Sequence, residues 1–570
     1  MYMAEPIISF KNVNFKYHSQ AEPTLHSINI NIYPGEKVLV VGASGSGKST
    51  FINCINGLIP NKYEGELTGK IEIKSKNTND YTFHERSNVV GTVLQDTDGQ
   101  FVGLTAAEDM AFILENNNIS NREMKDSVNH WAKIVGIQQH LSKRPQDLSG
   151  GQKQRVSLGG ILIHQTPILL FDEPLANLDP KTGQETIHLL EEIHHKTNST
   201  ILMVEHRLEE ALNQTFDRVI LFNEGKIIAD TTPDHLLKTN QLLEAGIREP
   251  LYVTVMKYAN VPLKNLDNIS NKEKILEFKT VQNSILSWFN HIKIREIENS
   301  NNETLLSLSN ITYQYNKRGV KVLNNVNLDI NNKEMISIVG HNGAGKSTLA
   351  KAICGFLKTK GKMYWEDKRF DKLSISERSS YVGYVMQNPN HMICEKMIYD
   401  EVALGLRLRN IDEEKIKEKV HSVLKICGLY SFRNWPIAAL SYGQKKRVTI
   451  ASILVLDPKV IILDEPTAGQ DFYHYTEMME FLSKLNQQGK TIIMITHDMH
   501  LLVEYTERTI VVSEGQIIAD STPIDVLLNN ELCVQASLHT TSLYDVARKL
   551  DIQKPQEFVK KFIEYDKEVR

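Results

Sequence analysis

The sequence predicts an α/β protein of two tandem domains, each built on a mostly parallel β-sheet, and three observations lead to this prediction. The segment GASGSGKST at residues 42–50 is repeated as GHNGAGKST at residues 340–348. Each copy follows an apolar run typical of a buried strand. Further along, ILLFDEP at 168–174 and VIILDEP at 460–466 have the same buried-strand pattern. Ordered repetition over such a length indicates gene duplication.

Length and composition set the broad class. The 570 residues leave room for two sizeable domains, and 41% hydrophobic with 24% charged residues is typical of globular protein. A formal net charge of -4 gives no case for a nucleic-acid binder, which normally carries a basic excess. The five cysteines are scattered and never form a CxxC pair, so neither a disulfide framework nor a metal cluster is expected. No signal-peptide pattern or bilayer-spanning apolar run is found, which predicts a cytoplasmic chain.

The repeat also suggests domain boundaries. We expect a first domain over 6–247, a partly helical linker over 248–303, a second domain over 304–536 and a helical tail over 537–570. The linker is rich in Asn, Lys, Glu and Ser and holds no cluster of catalytic residue types. The tail has helical spacing of its apolar residues and a proline break. Packing on the second domain is the simpler interpretation of the tail, and a partner-docking arm is the alternative.

The duplicated glycine-rich segments predict two phosphate-binding loops. The pattern GxxxxGK[ST] between a strand and a helix places backbone N–H groups around a phosphate, because the glycines allow close approach. The lysine then reaches the outer phosphates and the next hydroxyl reaches Mg²⁺. The residues expected to bind nucleotide in this way are Gly42, Ala43, Ser44, Gly45, Ser46, Gly47, Lys48, Ser49, Thr50, Gly340, His341, Asn342, Gly343, Ala344, Gly345, Lys346, Ser347 and Thr348.

Two acids end each of the later buried strands, at the sheet edge where ligands of open α/β sheets bind. Asp172 and Asp464 are suited to hold Mg²⁺ through water. Glu173 and Glu465 are suited to polarise the attacking water. The alternative for a single DEP triplet is that its acids only cap the next helix. After a phosphate-binding loop, the chemical interpretation is favoured.

The segments LSGGQKQRV at 148–156 and LSYGQKKRV at 440–448 resemble the signature motif of ATP-binding-cassette (ABC) proteins. Other motifs of that family are present in the same order in both repeats, including LANLDP and TAGQDF after the acids. The single residues that match the family pattern are Tyr17, Tyr315, Gln95, Gln387, His206 and His497. The resemblance covers both repeats and leaves out the linker and the tail.

This resemblance implies two ABC ATPase domains that use ATP and Mg²⁺, each with a β-rich subdomain and a helical signature subdomain near 96–150 and 388–440. It implies that the tyrosine stacks on adenine, that the glutamine completes the Mg²⁺ shell formed with Ser49, Asp172, Ser347 and Asp464, and that the histidine reaches the γ-phosphate as part of the catalytic set. It also implies that the halves pair head to tail within the chain, each signature closing over the ATP of the other half. The signature residues are Ser149, Gly150, Gly151, Gln152, Ser441, Tyr442, Gly443 and Gln444.

The sequence departs from the family pattern at two positions. Tyr442 stands where the signature usually has glycine, so we expect the site built on Lys48 to close less tightly. Gln470 replaces the usual leucine in the loop after the acids, which puts communication between the sites in question. Both glutamates and both histidines are present, so hydrolysis at both sites is expected, with one dominant site as the alternative.

The segments after Gln95 and Gln387 are similar to those of the cobalt-type and energy-coupling-factor (ECF) ATPases of vitamin and metal importers. In that family this region docks helices of a membrane subunit, which implies partners of two kinds, a transmembrane coupling protein and a substrate-binding membrane protein, at the cytoplasmic face of the membrane. Packing within the helical subdomain is the alternative for each side chain. The residues expected to dock are Phe101, Val102, Met392 and Ile393.

Three other functions are alternatives to an ECF-type importer subunit. A ribosome-acting tandem factor would need a strongly charged helical linker suited to RNA, and this linker is Asn-rich and mixed in charge. A DNA-repair or iron–sulfur cassette protein would need clustered cysteines. A sugar-importer tandem ATPase stays possible. The transported substrate cannot be derived from this chain, because its contacts would lie in separate membrane proteins.

Overall fold

The computed structural model describes residues 5–94, 98–175, 178–293, 303–316 and 319–569. The chain divides into two compact units, Met1–His291 with Asp471–Tyr473, and Ile292–Gln470 with His474–Arg570. Each unit contains a small antiparallel sheet and a larger, mostly parallel sheet. The predicted α/β fold class, with two similar domains, is confirmed.

Ten strands form the two sheets of the first unit. They are β1 (Ile8–Tyr17), β2 (Leu25–Ile32), β3 (Lys37–Gly42), β4 (Gly65–Ile73), β5 (Lys76–Asn77), β6 (Val90–Val93), β7 (Ile168–Asp172), β8 (Thr200–Val204), β9 (Arg218–Asn223) and β10 (Lys226–Thr231). The small sheet has the order β2-β1-β4-β5, and the large sheet has the order β10-β9-β3-β8-β7-β6. In the large sheet, β3 pairs in parallel with β8 and β9, so it lies in the interior of the sheet.

The described residues of the first unit also form thirteen α-helices. They are α1 (Lys48–Asn56), α2 (Leu58–Asn61), α3 (Phe83–Ser87), α4 (Ala106–Asn116), α5 (Asn121–Ile134), α6 (Gly150–Leu162), α7 (Pro180–Thr197), α8 (Leu208–Ala211), α9 (Pro233–Leu237), α10 (Gln241–Glu244), α11 (Leu251–Tyr258), α12 (Lys272–Ile275) and α13 (Lys279–His291). Helices α4, α5 and α6 pack on one another and form the helical region that the sequence predicts before and through the signature.

The second unit repeats this arrangement. Its strands are β11 (Thr304–Tyr313), β12 (Leu323–Asn331), β13 (Met335–Val339), β14 (Lys360–Trp365), β15 (Lys368–Arg369), β16 (Val382–Val385), β17 (Val460–Asp464), β18 (Thr491–Ile495), β19 (Arg508–Ser513) and β20 (Gln516–Ser521). The sheet orders are β12-β11-β14-β15 and β16-β17-β18-β13-β19-β20. Its helices are α14 (Lys346–Ile353), α15 (Ile375–Arg378), α16 (Ile398–Arg407), α17 (Glu413–Ile426), α18 (Tyr442–Leu454), α19 (Phe472–Gln487), α20 (Met499–Tyr505), α21 (Pro523–Leu528), α22 (Asn530–Ala536), α23 (Ser542–Lys549) and α24 (Pro555–Val569).

The core explains why the apolar runs become central strands. Every residue of β7 and of β17 is buried, because helices cover both faces of a parallel sheet. The strands of the small sheets alternate instead, as in β12, where buried and less buried positions follow one another along most of the strand. The carboxyl ends of β3, β7, β13 and β17 therefore hold the polar residues of the motifs at one edge of each large sheet.

The region expected to be a linker forms three α-helices within residues 248–293, the part of it that the structure describes. The backbone N–H of Leu251, at the start of α11, donates to Glu209 Oε2 at 2.7 Å. The Asp234 carboxylate accepts from the backbone N–H groups of Asn268 and Ser270 at 2.6 and 2.8 Å. Val281 and Ile285 of α13 are fully buried. Residues 251–291 are therefore a folded part of the first unit.

The C-terminal tail is also packed. Helix α24 begins at Pro555, contacts α21 and α23, and buries Phe558 and Phe562. Proline suits the first turn of a helix, because the N–H that it lacks has no partner there. In the described part of the chain, no helix is long and apolar enough to cross a membrane.

Candidate nucleotide-binding sites

The first phosphate-binding loop joins β3 to α1. The Lys48 Nζ donates to the carbonyl oxygens of Gly42 and Ala43 at 2.7 and 2.8 Å, which holds the lysine across the mouth of the loop. Gly47 stands at the N-cap of α1 with a φ of 103°, a conformation that side chains rarely adopt. The loop therefore directs the amino end of α1, with its partial positive charge, at the space that the sequence assigns to phosphate.

A buried hydroxyl in this loop indicates a polar ligand. Ser46 Oγ is one of the buried side-chain oxygens that have no hydrogen-bond partner in the described part of the chain. A buried polar group without a partner costs free energy on the order of 1–3 kcal/mol, so such groups are rare unless a ligand or water satisfies them. A phosphate oxygen supplies the acceptor that this hydroxyl needs. The loop therefore fits the phosphates of a nucleotide.

The acid at the end of β7 lies beside the loop. Ser49 Oγ donates to Asp172 Oδ1 at 3.3 Å, which brings together the two side chains expected to hold Mg²⁺. Burial, with the neighbouring charge of Glu173, raises the pKa of Asp172 to about 6. Burial lowers the pKa of Lys48 to about 8, although Glu173 and Asp172 oppose that shift. A hydroxyl and a carboxylate in contact are suitable oxygen ligands for a hard divalent cation, so these residues fit Mg²⁺.

The expected catalytic pair is close in the first unit. His206 Nε2 lies 2.8 Å from Glu173 Oε1. Glu173 has a φ of 50° and donates its backbone N–H to the Val204 carbonyl at 3.0 Å. A left-handed conformation is uncommon for a residue other than glycine and is often found at functional sites. The turn directs the Glu173 side chain toward the histidine that follows β8.

Glu205 was missed by the sequence interpretation. It is buried, and its Oε1 accepts from the Leu175 N–H at 2.8 Å, while Oε2 accepts from the His206 N–H at 3.1 Å. It thus joins the loop that follows Glu173 to the loop that carries His206. Burial raises the pKa of Glu205 to about 8, and the charge of Glu173 adds to that shift. The signal in the sequence was the difference between MVEH in the first repeat and MITH in the second.

The second unit builds a similar site with different contacts. Lys346 Nζ donates to the carbonyl oxygens of Gly340 and His341 at 2.6 and 3.0 Å, and it lies 3.2 Å from His497 Nε2. His497 Nε2 lies 3.7 Å from Glu465 Oε1, and Glu465 has a φ of 47°. Asp464 Oδ2 accepts from the Tyr384 hydroxyl at 2.8 Å. The fixed carboxylate of Asp464 stands at the end of β17, as Asp172 does at the end of β7.

The two signatures begin helices. Ser149 caps α6 and Ser441 caps α18, each in a reciprocal pair with the glutamine three residues later. The Ser149 N–H donates to Gln152 Oε1 at 3.1 Å, and the Ser441 N–H donates to Gln444 Oε1 at 3.0 Å. The small residues within each motif, Gly150, Gly151 and Gly443, lie in the first helical turn, together with Tyr442. Both signatures therefore present a helix amino end, which favours a negatively charged group.

The other predicted residues are placed as follows. The Tyr17 hydroxyl lies 3.0 Å from Thr50 Oγ1, and the Tyr315 hydroxyl lies 3.4 Å from Thr348 Oγ1, so each tyrosine lies beside its own phosphate-binding loop. Gln387 follows β16, and its carbonyl oxygen accepts from Lys446 Nζ at 2.7 Å. Gln95 lies outside the described residues. Ser347 lies in the first turn of α14. The remaining members of the two loops lie between β3 and α1 and between β13 and α14: Ser44, Gly45, Asn342, Gly343, Ala344 and Gly345.

The predicted docking residues differ in exposure. Val102 is 65% exposed, Phe101 is partly buried, and Met392 and Ile393 are also partly buried. Leu104, which the sequence interpretation did not single out, is 79% exposed. Its place in the same short apolar run as Phe101 and Val102, FVGL, was the signal that could have found it.

Comparison with known proteins identifies the family of this chain. A family model described as ABC transporter matches residues 25–176 and 323–468. A second model, described as ATP-binding cassette cobalt transporter, matches residues 239–313. A protein of Staphylococcus aureus (strain COL), named as an ABC transporter ATP-binding protein, is 63% identical over 568 residues, with 100% of both chains covered. A protein of Enterococcus faecalis with the same kind of name is 56% identical over 571 residues, again with 100% of both chains covered.

A solved structure is also similar to part of the chain. It is the structure of cbiO1 from Clostridium perfringens, described as part of the ABC transporter complex cbiONQ. It is 32% identical, covers 45% of this chain and 98% of its own, and has a TM-score of 0.38. The family models and the two full-length relatives suffice for the assignment. The chain belongs to the ABC transporter ATP-binding family, as two fused ATPase cassettes.

Proposed function

We propose that this chain is the energy-coupling subunit of an ECF-type importer, which hydrolyses ATP to drive uptake of a vitamin, a vitamin precursor or a metal ion through separate membrane subunits. The family assignment supports ATP hydrolysis, and the cobalt-transporter description of residues 239–313 supports the type of importer. The observation that carries the coupling role is an apolar surface segment in the first unit, formed by Val102 and Leu104.

The chemistry of hydrolysis follows from the residues of each site. In the first unit, Lys48, held by the Gly42 carbonyl, would neutralise phosphate charge, and Glu173, beside His206, would accept a proton from the attacking water. His206, in contact with Glu173, would report the presence of the terminal phosphate to the loop after β8. Mg²⁺, when held by Ser49 and Asp172, would stabilise the negative charge that develops on the phosphates. The second unit has a residue for each of these roles. The phosphate-binding lysine is Lys346, the base is Glu465, the histidine is His497, and the Mg²⁺ ligands are Ser347 and Asp464.

Hydrogen bonds to two acidic side chains fix the backbone of the apolar surface segment that contains Val102 and Leu104. Asp109 Oδ1 accepts from the N–H groups of Val102 and Gly103 at 2.9 and 3.1 Å. Glu108 Oε2 accepts from the N–H of Leu104 at 3.0 Å. The acids that follow the apolar residues therefore fix the backbone of this loop. The side chains of Val102 and Leu104 are left exposed to solvent. Exposed apolar side chains held in this way are typical of a protein interaction site.

The second unit holds its corresponding loop in a similar way. Glu401 is buried, and its Oε2 accepts from the N–H groups of Cys394 and Glu395, both at 2.8 Å. Met392 and Ile393 precede these residues. The same device in both units supports a common role for the two loops, which is to dock helices of the membrane subunits at the cytoplasmic face of the membrane.

The test is to purify the tagged chain from its native cells in mild detergent and to identify the proteins that accompany it by mass spectrometry. We expect integral membrane subunits with the native chain and a loss of at least about tenfold with Val102→Asp combined with Leu104→Asp, because charge on this surface opposes apolar docking. The matched control is Val320→Asp, which changes a valine that is 88% exposed elsewhere. Thermal unfolding of both variants should match that of the native chain. Ribosomal proteins without membrane subunits would overturn the proposal.

A further inference from the structure

Two side chains of helix α18 bind the same backbone oxygen beside the second nucleotide site. The Tyr442 hydroxyl donates to the Gln387 carbonyl at 3.2 Å, and Lys446 Nζ donates to it at 2.7 Å. Lys446 Nζ also donates to the Met386 carbonyl at 2.8 Å and approaches the Asp464 carbonyl at 3.4 Å. One buried ammonium therefore joins the signature helix to the ends of β16 and β17.

The first unit has different residues at the aligned positions. Gly150 stands in place of Tyr442 and has no side chain, and Gln154 stands in place of Lys446. The Gln154 amide donates instead to the carbonyl of Pro174, after the acids of β7. The pair of donors from Tyr442 and Lys446 is therefore a feature of the second unit, and it arises from two substitutions within one motif.

Lys446 is buried, and its hydrogen bonds to carbonyl oxygens compensate for the loss of water around its ammonium group. Its side chain is 1% exposed, and burying an ammonium is unfavourable unless hydrogen bonds replace the lost water. Carbonyl oxygens on three residues supply that replacement, and hydrogen bonds to a charged donor are the stronger kind. The burial also lowers the pKa of Lys446 to about 8, against the attraction of Asp464 and Glu465. The buried ammonium therefore restrains the backbone at Met386 and Gln387, whose carbonyl oxygens it binds.

We propose that Tyr442 and Lys446 are positioning residues, which tie the backbone at Gln387 to the signature helix and make the two move as one body in the second unit. The consequence for activity rests on the proposed role of Gln387 in the Mg²⁺ shell: a fixed Gln387 gives the site on Lys346 a lower Mg²⁺ requirement. The tyrosine of the second signature thus has a role within its own unit, in place of the glycine usual there.

The test of positioning is amide hydrogen exchange in the segment 383–395 of the full chain without nucleotide or metal. Tyr442→Phe removes one hydroxyl, and we expect exchange to rise about threefold; Lys446→Met should raise it about tenfold or more. The double variant should match Lys446→Met within about twofold, since both donors act on one carbonyl and effects within one network are not additive. Lys445→Met, the same change at the neighbouring residue, is the control and should leave exchange unchanged. Unchanged exchange in both Tyr442→Phe and Lys446→Met would overturn the proposal, even if their melting temperatures fell.

A second measurement separates this proposal from the role given to Gln387. In a Glu173→Gln background, which leaves hydrolysis to the second site, the Mg²⁺ concentration for half-maximal ATPase activity should rise about threefold to tenfold with Tyr442→Phe and also with Gln387→Ala. If exchange rises in Tyr442→Phe but Gln387→Ala leaves the Mg²⁺ requirement unchanged, the positioning stands and the metal role of Gln387 falls. If Gln387→Ala shifts the requirement while exchange stays unchanged in both Tyr442→Phe and Lys446→Met, the positioning proposal falls.

Discussion

His206 Nε2 and Glu173 Oε1 lie 2.8 Å apart, whereas the matching atoms of His497 and Glu465 lie 3.7 Å apart. In the second unit the imidazole is instead 3.2 Å from Lys346 Nζ. The histidine therefore contacts the expected base in one site and the phosphate-binding lysine in the other. Two sites built from the same motifs thus differ in which catalytic group the histidine positions.

This difference predicts unequal effects of the two histidines. In a Glu465→Gln background, His206→Ala should lower kcat about a hundredfold, because the base loses the partner that orients it. In a Glu173→Gln background, His497→Ala should mainly raise the ATP concentration for half-maximal activity, because its contact is with Lys346. Steady-state kinetics over a range of ATP concentrations separates the two. Equal changes in kcat and KM from both substitutions would contradict this account.

The glutamates are expected to carry the proton transfer. Glu173→Gln combined with Glu465→Gln keeps the shape of each side chain and removes the base, so hydrolysis should fall about a hundredfold or more. ATP binding should persist, because the contacts of Lys48 and Lys346 are untouched. Filter binding of labelled ATP measures the second property and phosphate release the first. Glu22→Gln with Glu531→Gln, at two exposed positions, serves as a control for loss of charge. Normal turnover in the Glu173 and Glu465 variant would end the assignment.

Residues that belong to short motifs could be predicted from the sequence, whereas residues whose role depends on burial could not. Lys48 and Asp172 are predictable because a phosphate-binding loop and a strand end need those residue types at fixed spacing. Glu205 and Lys446 are single charged residues within longer motifs. Their structural role depends on burial against backbone groups from other parts of the fold, which the sequence does not reveal. The Asn-rich segment after residue 247 was expected to be a partly helical linker. Contacts such as that of the Leu251 N–H with Glu209 Oε2 at 2.7 Å join it to the rest of the first unit.

Cysteine reactivity gives a direct check of burial. Cys54, Cys354 and Cys427 are buried, and burial raises the pKa of each thiol to about 12, while burial raises that of Cys533 to about 11. Cys394 is exposed, in the loop held by Glu401. Since the thiolate is the reactive form, one thiol per chain should react with a maleimide or with Ellman's reagent at pH 7.5 within minutes, and four only after unfolding.

Cys394→Ser should remove this fast phase, and Cys533→Ser, at a buried position, should leave it unchanged. The same thiol also reports on the proposed docking loop. When the chain is bound to its membrane subunits, Cys394 should react about tenfold more slowly than in the isolated chain. A fast phase that persists in Cys394→Ser would show that another thiol is accessible and would contradict the burial described here.

Glu205 predicts a pH dependence of stability with a definite sign. Its pKa is raised in the folded chain from 4.5 to about 8, so between these values the folded state binds a proton that the unfolded state does not. Its stabilising contribution is therefore complete below about pH 4.5 and is lost as the pH rises through 8, a change on the order of 3–5 kcal/mol. Glu205→Gln has nearly the same shape and cannot titrate. Calorimetry from pH 5 to 8.5 measures the melting temperatures of the native chain and of this variant. As the pH rises, the melting temperature of the native chain should fall by several degrees relative to that of the variant. A difference that stays constant across this range would show that Glu205 is ionised in the folded protein, and it would then act on the Leu175 and His206 N–H groups as a carboxylate.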